Sequence, residues 1–168
     1  MKFVKKTMIA IAISSAFVAT ANAGNMYAGV KAGSVSNSVP GLSESSTSFG
    51  VFGGYTINPN FAVELGYTDL GSVGGLINFS AIDLSAVGTF PVSGQFSLYG
   101  KLGMASTTES ALGFSVSRTD VTYGVGGEYK VSETVGIRLG WDHYGFGDDV
   151  TFIKGDSSLI SVSGVFKF

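Results

Sequence analysis

Bulky apolar residues alternate with small or polar residues at every second position along most of this chain. In FAVELGYTDLG, residues 61–71, one parity begins with bulky apolar side chains and the other holds Ala62, Glu64, Gly66 and Thr68. Side chains of a β-strand point alternately to opposite faces, so a period of two predicts strands with one apolar face. Glu64 must then share a face with small residues, and the environment of that face decides the fold.

Eight segments with this period are predicted, separated alternately by short turns and by longer polar stretches. The predicted strands are about 26–33, 47–57, 61–68, 79–90, 96–105, 119–129, 135–144 and 157–168. The turns at 58–60, 91–95 and 130–134 contain the turn formers Pro, Gly, Asn or Ser. The longer stretches, predicted as loops, are 34–46, 69–78, 106–118 and 145–156. The pattern predicts one all-β domain.

Two architectures share this alternation: a soluble β-sandwich or lipocalin-type barrel, and an outer-membrane barrel, in which the apolar face meets lipid. The polar face here is mostly Gly, Ser, Thr and Ala with isolated charges, which suits a crowded interior better than a surface in water. An eight-stranded barrel is about wide enough for side chains to fill it. The strands also match the roughly 9–11 residues of a tilted spanning strand. We therefore predict a transmembrane eight-stranded antiparallel up-and-down β-barrel.

Composition supports this interpretation and excludes several classes of function. Charged residues make up 13 % of the chain, whereas a surface in water carries about 25–35 %. Without the three lysines of its first segment the chain has seven basic and twelve acidic residues, which argues against a nucleic-acid partner. There is no cysteine and one histidine, so the sequence offers no disulfide framework and no candidate metal or cofactor site.

The first 23 residues have the three parts of a secretory signal peptide. Three lysines precede an apolar run from Met8 to Ala19, and Ala-Asn-Ala follows at 21–23. A membrane anchor is the alternative, but this run is shorter than the roughly 20 residues that a spanning helix needs. We expect cleavage after Ala23 and an exported chain of residues 24–168.

Three segments resemble the transmembrane domain of the outer membrane protein A (OmpA) family: residues 52–71, 99–104 and 126–142. The resemblance implies an eight-stranded barrel with periplasmic turns and outward loops, in the outer membrane of a Gram-negative cell. Many members carry a further domain that binds peptidoglycan. The sequence printed here stops at Phe168, so we do not expect cell-wall tethering.

The resemblance also implies a salt-bridged interior that blocks or gates a narrow passage. The matching positions are Lys31, Glu64, Lys101, Glu128 and Arg138. We expect Glu64 to pair with Arg138, since a charge in a low-dielectric interior needs a partner.

One position departs from the family pattern. Val87 stands where the family has a lysine, so Glu128 loses its usual alternative partner, for which Lys101 or Lys31 could substitute. We therefore expect a network that fixes the barrel rather than a gate that exchanges partners. The pairing of two additional acids, Asp83 and Asp142, is left open.

The last residues, ISVSGVFKF, resemble the C-terminal strand signature of bacterial outer-membrane barrels, which their insertion machinery recognises through a terminal aromatic residue such as Phe168. Other expected partners are outer-membrane lipid and lipopolysaccharide.

Three functions are considered. The first is a structural barrel with at most a narrow passive pore. The second is an adhesin or ligand-binding barrel that contacts a host or surface ligand through its loops, which contain Glu44, Glu109, Asp148 and Asp149. The third is a lipid-modifying enzyme, which would need Ser beside His143. No such motif surrounds His143, so we expect no enzyme and no catalytic residue.

Overall fold

The computed structural model describes residues 24–39, 42–73, 77–111, 114–146 and 155–168. The predicted signal peptide, residues 1–23, lies outside the described residues, and so do Asp148 and Asp149. The side chains of Glu44 and Glu109 are not described either. Within the described ranges, no helix is both long and apolar enough to cross a membrane.

Eight antiparallel strands form a closed barrel, as the alternation predicts. The strands are β1 Met26–Val39, β2 Leu42–Asn58, β3 Phe61–Val73, β4 Ile77–Pro91, β5 Phe96–Ala111, β6 Phe114–Lys130, β7 Val135–Phe146 and β8 Gly155–Lys167. Each strand pairs with its neighbours in sequence, and β1 pairs with β8 to close the ring. Closure leaves no unpaired strand edge at β1 or β8. A barrel in lipid needs this, because backbone polar groups in hydrocarbon must be hydrogen-bonded within the protein.

The barrel has two different ends. The end with both described termini and the turns at residues 59–60, 92–95 and 131–134 is called the turn end. The opposite end, where the other connections lie, is called the loop end. At the turn end Val92 N donates to Phe96 O at 2.9 Å, and Phe168 N donates to Met26 O at 2.9 Å, which extends the β1–β8 seam to the last residue.

The predicted strand limits are right at the turn end and wrong at the loop end. The stretch 106–118 was expected to be a loop, yet β5 and β6 stay paired until Ala111 opposes Phe114. The β1–β2 ladder likewise continues until Val39 opposes Leu42. These extensions are rich in Ser and Thr, so they lack the apolar alternation that marks the rest of each strand. Backbone pairing continues the strands there, although Val35 of the β1 extension still points into the buried interior.

The outer wall of the barrel carries exposed apolar side chains. Leu84, Leu102 and Leu139 each expose more than half of their surface, and aromatic residues lie toward both ends of the wall. A continuous apolar belt between aromatic girdles is typical of the surface of a protein embedded in lipid. The prediction that the apolar face of each strand lies on the outside of the barrel is therefore confirmed.

The interior contains a buried apolar layer toward the loop end, formed by Val35, Leu70, Ala81, Ala105, Tyr144 and Leu159. These side chains are at most 3 % exposed. Each lies nearer the loop end than the buried or ion-paired charged residue of its own strand, for example Val35 beyond Lys31 on β1. We call this set the loop-end apolar layer.

Candidate functional site

Arg138 is the centre of a charged cluster inside the barrel. It points inward from β7 and is 6 % exposed. Its Nη1 lies 2.8 Å from Glu64 Oε2, and its Nε lies 2.7 Å from Glu128 Oε2. Glu128 is its direct neighbour on β6, whereas Glu64 reaches it from β3 across the lumen. Two carboxylates thus offset the desolvation of one buried guanidinium.

Three aromatic rings complete the environment of Arg138. Its guanidinium carbon lies 5.1 Å from the ring centres of Tyr27 and Tyr99 and 5.4 Å from that of Phe52. Such distances give cation–π attraction, which grows when the cation is desolvated. The Tyr27 hydroxyl also donates to Glu64 Oε2 at 3.0 Å.

Sequence reasoning missed these rings, although the alternation locates them. Tyr27 has the parity of Lys31, and Tyr99 has the parity of Lys101. Parity alone would have placed both rings in the interior.

Lys101 is shared by three carboxylates. Its Nζ lies 3.6 Å from Glu64 Oε1 and 3.5 Å from both Asp83 Oδ2 and Asp142 Oδ1. Ser85 donates a further hydrogen bond to Asp83 Oδ2 at 3.2 Å. The two acids whose pairing was left open by the sequence therefore share one lysine, and Glu64 links that lysine to the Arg138 cluster.

The partner of Glu128 was predicted wrongly. Lys101 and Lys31 were the substitutes considered for the lysine replaced by Val87, but Lys167 Nζ lies 2.6 Å from Glu128 Oε1. Lys167 is the penultimate residue of this chain, and its inward parity was overlooked. Lys31 instead lies toward the loop end, where its ammonium donates to the Tyr144 hydroxyl at 3.3 Å.

The five residues proposed from the sequence therefore occupy one region of the lumen. Glu64, Lys101, Glu128 and Arg138 are joined by direct ion pairs. Lys31 lines the same small pocket as Glu64, Lys101 and Arg138.

Small inward residues make room for these long side chains. A Cβ added to Gly54 would overlap the Tyr27 ring, and one added to Gly126 would come within 2.7 Å of the Tyr99 ring. A Cβ on Gly50 would lie 2.6 Å from Lys31 Cε. Glycine on this face is therefore a packing requirement of the charged and aromatic interior, which accounts for part of the 25 glycines of the chain.

The described interior is wider at the turn end than within the charged cluster. At the turn end lies an open vestibule of about 310 Å³, lined by Glu128, Arg138 and Lys167 among others. The pocket within the charged cluster holds only about 10 Å³, roughly the space of one water molecule. Beyond it lies the loop-end apolar layer. Within the charged cluster, side chains therefore leave space for about one water molecule.

The single histidine lies on the outer wall, as its parity predicts. The His143 ring centre is 4.8 Å from that of Tyr123 and 5.9 Å from that of Trp141. No serine lies next to His143 in the sequence, but the strand register places Ser158 of β8 opposite His143.

The comparisons with known proteins agree with this architecture. Residues 7–166 match the family described as "Outer membrane protein beta-barrel domain". The chain is 31 % identical over 175 residues to Outer membrane protein P5 of Haemophilus influenzae, covering 80 % of this chain and 50 % of that protein. It is 28 % identical over 195 residues to Outer membrane protein A of Klebsiella aerogenes, covering 98 % of this chain and 55 % of that protein.

Among solved structures, Neisserial surface protein A superposes with a TM-score of 0.72 at 22 % identity, covering 85 % of this chain and 97 % of that one. The chain thus spans about half the length of the curated relatives that it matches. These relatives are outer-membrane barrel proteins.

Proposed function

This chain belongs to the outer membrane protein beta-barrel domain family, and on that premise we propose that it is a structural outer-membrane barrel with at most a narrow passive leak. The family and the closed barrel make it a multi-pass protein of the outer membrane. The single observation that carries the proposal is the filled interior around Arg138, where the pocket holds only about 10 Å³. Such a filled interior stiffens the barrel wall and lets few ions or solutes cross.

The partnered charges of the interior support low permeability. The charged cluster holds Arg138 between Glu64 and Glu128 at 2.8 and 2.7 Å, so its charges are already partnered. Toward the loop end the buried lining is mixed, because hydroxyl residues such as Thr68 and Thr107 lie opposite Ala81 of the loop-end apolar layer. An ion that enters from the vestibule first meets a salt-bridge layer whose charges are already partnered.

The proposed orientation has the turn end in the periplasm and the loop end outside, as short turns and longer loops are arranged in bacterial barrels. In this orientation the partners are the lipids around the wall, including lipopolysaccharide, and the insertion machinery that would engage the strand ending at Phe168. Exposed Phe166 and Phe168 at the β8 terminus support the second partnership.

Planar-bilayer recording tests the proposal. We expect the purified barrel to give no steady conductance, or brief events far smaller than those of a wide general porin recorded as the positive control. Steady channels of hundreds of picosiemens would contradict a filled interior. Heat-modifiable migration on a gel must first show that the recorded protein is folded.

A second candidate function is adhesion or ligand binding at the loop end. The β1–β2 and β5–β6 ladders favour it, because they extend beyond the apolar belt as raised hairpins. Binding of the protein in lipid discs to host cells, lost when both hairpins are shortened but the barrel still folds, would support this candidate. Undiminished binding after shortening would refute it.

We do not propose an enzyme. His143 packs its ring against Tyr123 and Trp141, which engages its faces in stacking. Turnover of outer-membrane lipid that disappears in His143→Ala would contradict this conclusion.

A further inference from the structure

The vestibule at the turn end is a cavity that the structural role does not use. Its volume of about 310 Å³ is at the lower end of the range of small-molecule sites, which is about 300–1,000 Å³. The charged cluster lies at its inner end, where the next pocket holds only about 10 Å³. A small molecule that enters from the turn end therefore meets partnered side chains and has room to stay in the vestibule.

Lys167 presents a positive charge to the vestibule. Its Nζ lies 2.6 Å from Glu128 Oε1, but the two partners differ in exposure. The Lys167 side chain is 42 % exposed, whereas that of Glu128 is 10 % exposed. The exposed partner of the pair is therefore the cation. An ammonium has three N–H donors, and Glu128 accepts from one of them.

The acidic side chain among the described lining residues already has two cationic partners. Glu128 Oε2 accepts from Arg138 Nε at 2.7 Å, and Glu128 Oε1 accepts from Lys167 Nζ. A further cation that approached Glu128 would be repelled by both of these side chains. An anion would instead be attracted by the exposed ammonium of Lys167 and could accept from its remaining donors. The charges of the vestibule therefore favour an anionic ligand.

Another wall of the vestibule is apolar. Tyr27, Ala62 and Val87 line it and belong to one cluster of buried apolar residues. Val87 stands where the OmpA family has a lysine, so a short apolar side chain takes the place of a long cationic one. In this chain the cation comes from Lys167 on β8 instead, and the wall at β3 and β4 is apolar. A ligand with an apolar body and one anionic group matches these two surfaces.

We propose that the vestibule binds a small organic carboxylate with an apolar body, such as an aromatic acid anion, and that Lys167 donates to the carboxylate. The apolar body packs against Tyr27, Ala62 and Val87. Burial of this body and one charge-assisted hydrogen bond supply the affinity. The inference goes beyond the structural role. It uses the proposed orientation in one respect, because a turn end in the periplasm would receive the carboxylate from there.

Benzoate is the probe, and its binding is measured by nuclear magnetic resonance of the 15N-labelled barrel in zwitterionic micelles at neutral pH. We expect saturable shifts of the backbone amides of Ala62, Val87 and Ser97, which line the vestibule. The chain contains one tryptophan, so the indole N–H of Trp141 gives a single signal from the outer wall. That signal should not move, whereas benzoate that only dissolved in the micelle would shift it.

Two further probes separate the charge from the apolar body. Benzamide has the shape of benzoate without its charge. It should bind at least about tenfold more weakly, because a hydrogen bond to a charged group contributes at least that factor. Acetate keeps the carboxylate without the ring. It should also bind at least about tenfold more weakly, because the apolar area that benzoate buries is missing.

Two lysine variants make the test specific. Lys167→Met removes the proposed ligand group and should weaken benzoate binding at least about tenfold. Lys130→Met removes an exposed lysine at the turn end that does not belong to the described lining of the vestibule. It should leave the affinity for benzoate unchanged. Heat-modifiable migration shows that each variant is folded.

Four results would overturn the proposal. The first is the absence of saturable shifts at Ala62, Val87 and Ser97. The second is equal affinity for benzoate and benzamide, and the third is equal affinity for benzoate and acetate, which would leave the apolar wall without a role. The fourth is an equal effect of Lys167→Met and Lys130→Met on benzoate binding. None of these results depends on conductance, so failure here is distinct from failure of the structural role.

Discussion

Arg138 and Glu64 face each other across the lumen, with 2.8 Å between Nη1 and Oε2. They belong to β7 and β3, which are not neighbours in the ring. Arg138 also contacts Glu128 of β6 and the rings of Tyr27 and Tyr99 on β1 and β5. A single side chain therefore ties together strands from all around the wall.

Replacing Arg138 by Met should destabilise the barrel strongly. The change leaves Glu64 and Glu128 buried without their shared cation, and breaking a buried ion pair in this way costs about 3–5 kcal/mol. Urea unfolding in lipid vesicles, followed by heat-modifiable migration, measures the loss. Glu64→Gln alone and together with Arg138→Met completes a double-mutant cycle, in which strictly additive costs would show that the two residues do not interact.

Replacing Lys167 by Met should cost less, below about 1 kcal/mol, although its 2.6 Å contact with Glu128 is the shortest of the cluster. The Lys167 side chain is 42 % exposed, so water and salt screen its charge. Its contribution should largely disappear in 1 M salt, whereas the cost of Arg138→Met should persist. Equal salt sensitivity of the two variants would mean that the cluster is open to solvent.

Gly53 and Gly54 are adjacent residues with opposite expectations. A Cβ on Gly54 would overlap the Tyr27 ring, while one on Gly53 meets only Tyr27 O at 3.8 Å. Gly54→Ala should therefore lower the free energy of unfolding. Gly53→Ala should be neutral or stabilising by about 0.5–1 kcal/mol, since alanine loses less backbone freedom on folding. Equal effects in the same urea assay would show that the interior is not tightly packed at Tyr27.

Leu139 and Val131 test which face meets lipid. Both are more than half exposed, but Leu139 lies midway along β7 and Val131 in the turn that precedes it. Leu139→Lys should destabilise the inserted barrel by about 2–4 kcal/mol, and Val131→Lys by about 0–1 kcal/mol. Urea unfolding from lipid vesicles measures both costs. Similar small losses would mean that the outer wall does not face hydrocarbon.

The alternation was sufficient to predict the fold because it reports directly on the two faces of each strand. Eight apolar-faced segments and the turns at 58–60, 91–95 and 130–134 gave the barrel and its strand ends on one side. The loop-end limits failed because β5 and β6 continue as a polar ladder, in which backbone hydrogen bonds rather than apolar side chains define the strand.

The sequence predicts which charged residues point into the interior better than it predicts which of them form ion pairs. Parity assigns Glu64, Glu128 and Arg138 to one face, and it also assigns Lys167 there. Which cation reaches which carboxylate depends on the register of the closed ring, for example Glu128 opposite Arg138 on β6 and β7. That register comes from backbone pairing, which a local pattern does not encode.

The cross-lumen contact of Arg138 has a consequence for assembly. An isolated hairpin can bring Arg138 next to Glu128, because β6 and β7 are adjacent. It cannot bring Arg138 to Glu64 or Tyr27, which arrive only when the first strands curl round to meet the last. The full set of Arg138 contacts therefore forms only in the closed barrel. In a half-formed intermediate, the guanidinium would have fewer anionic partners until β1 and β8 join.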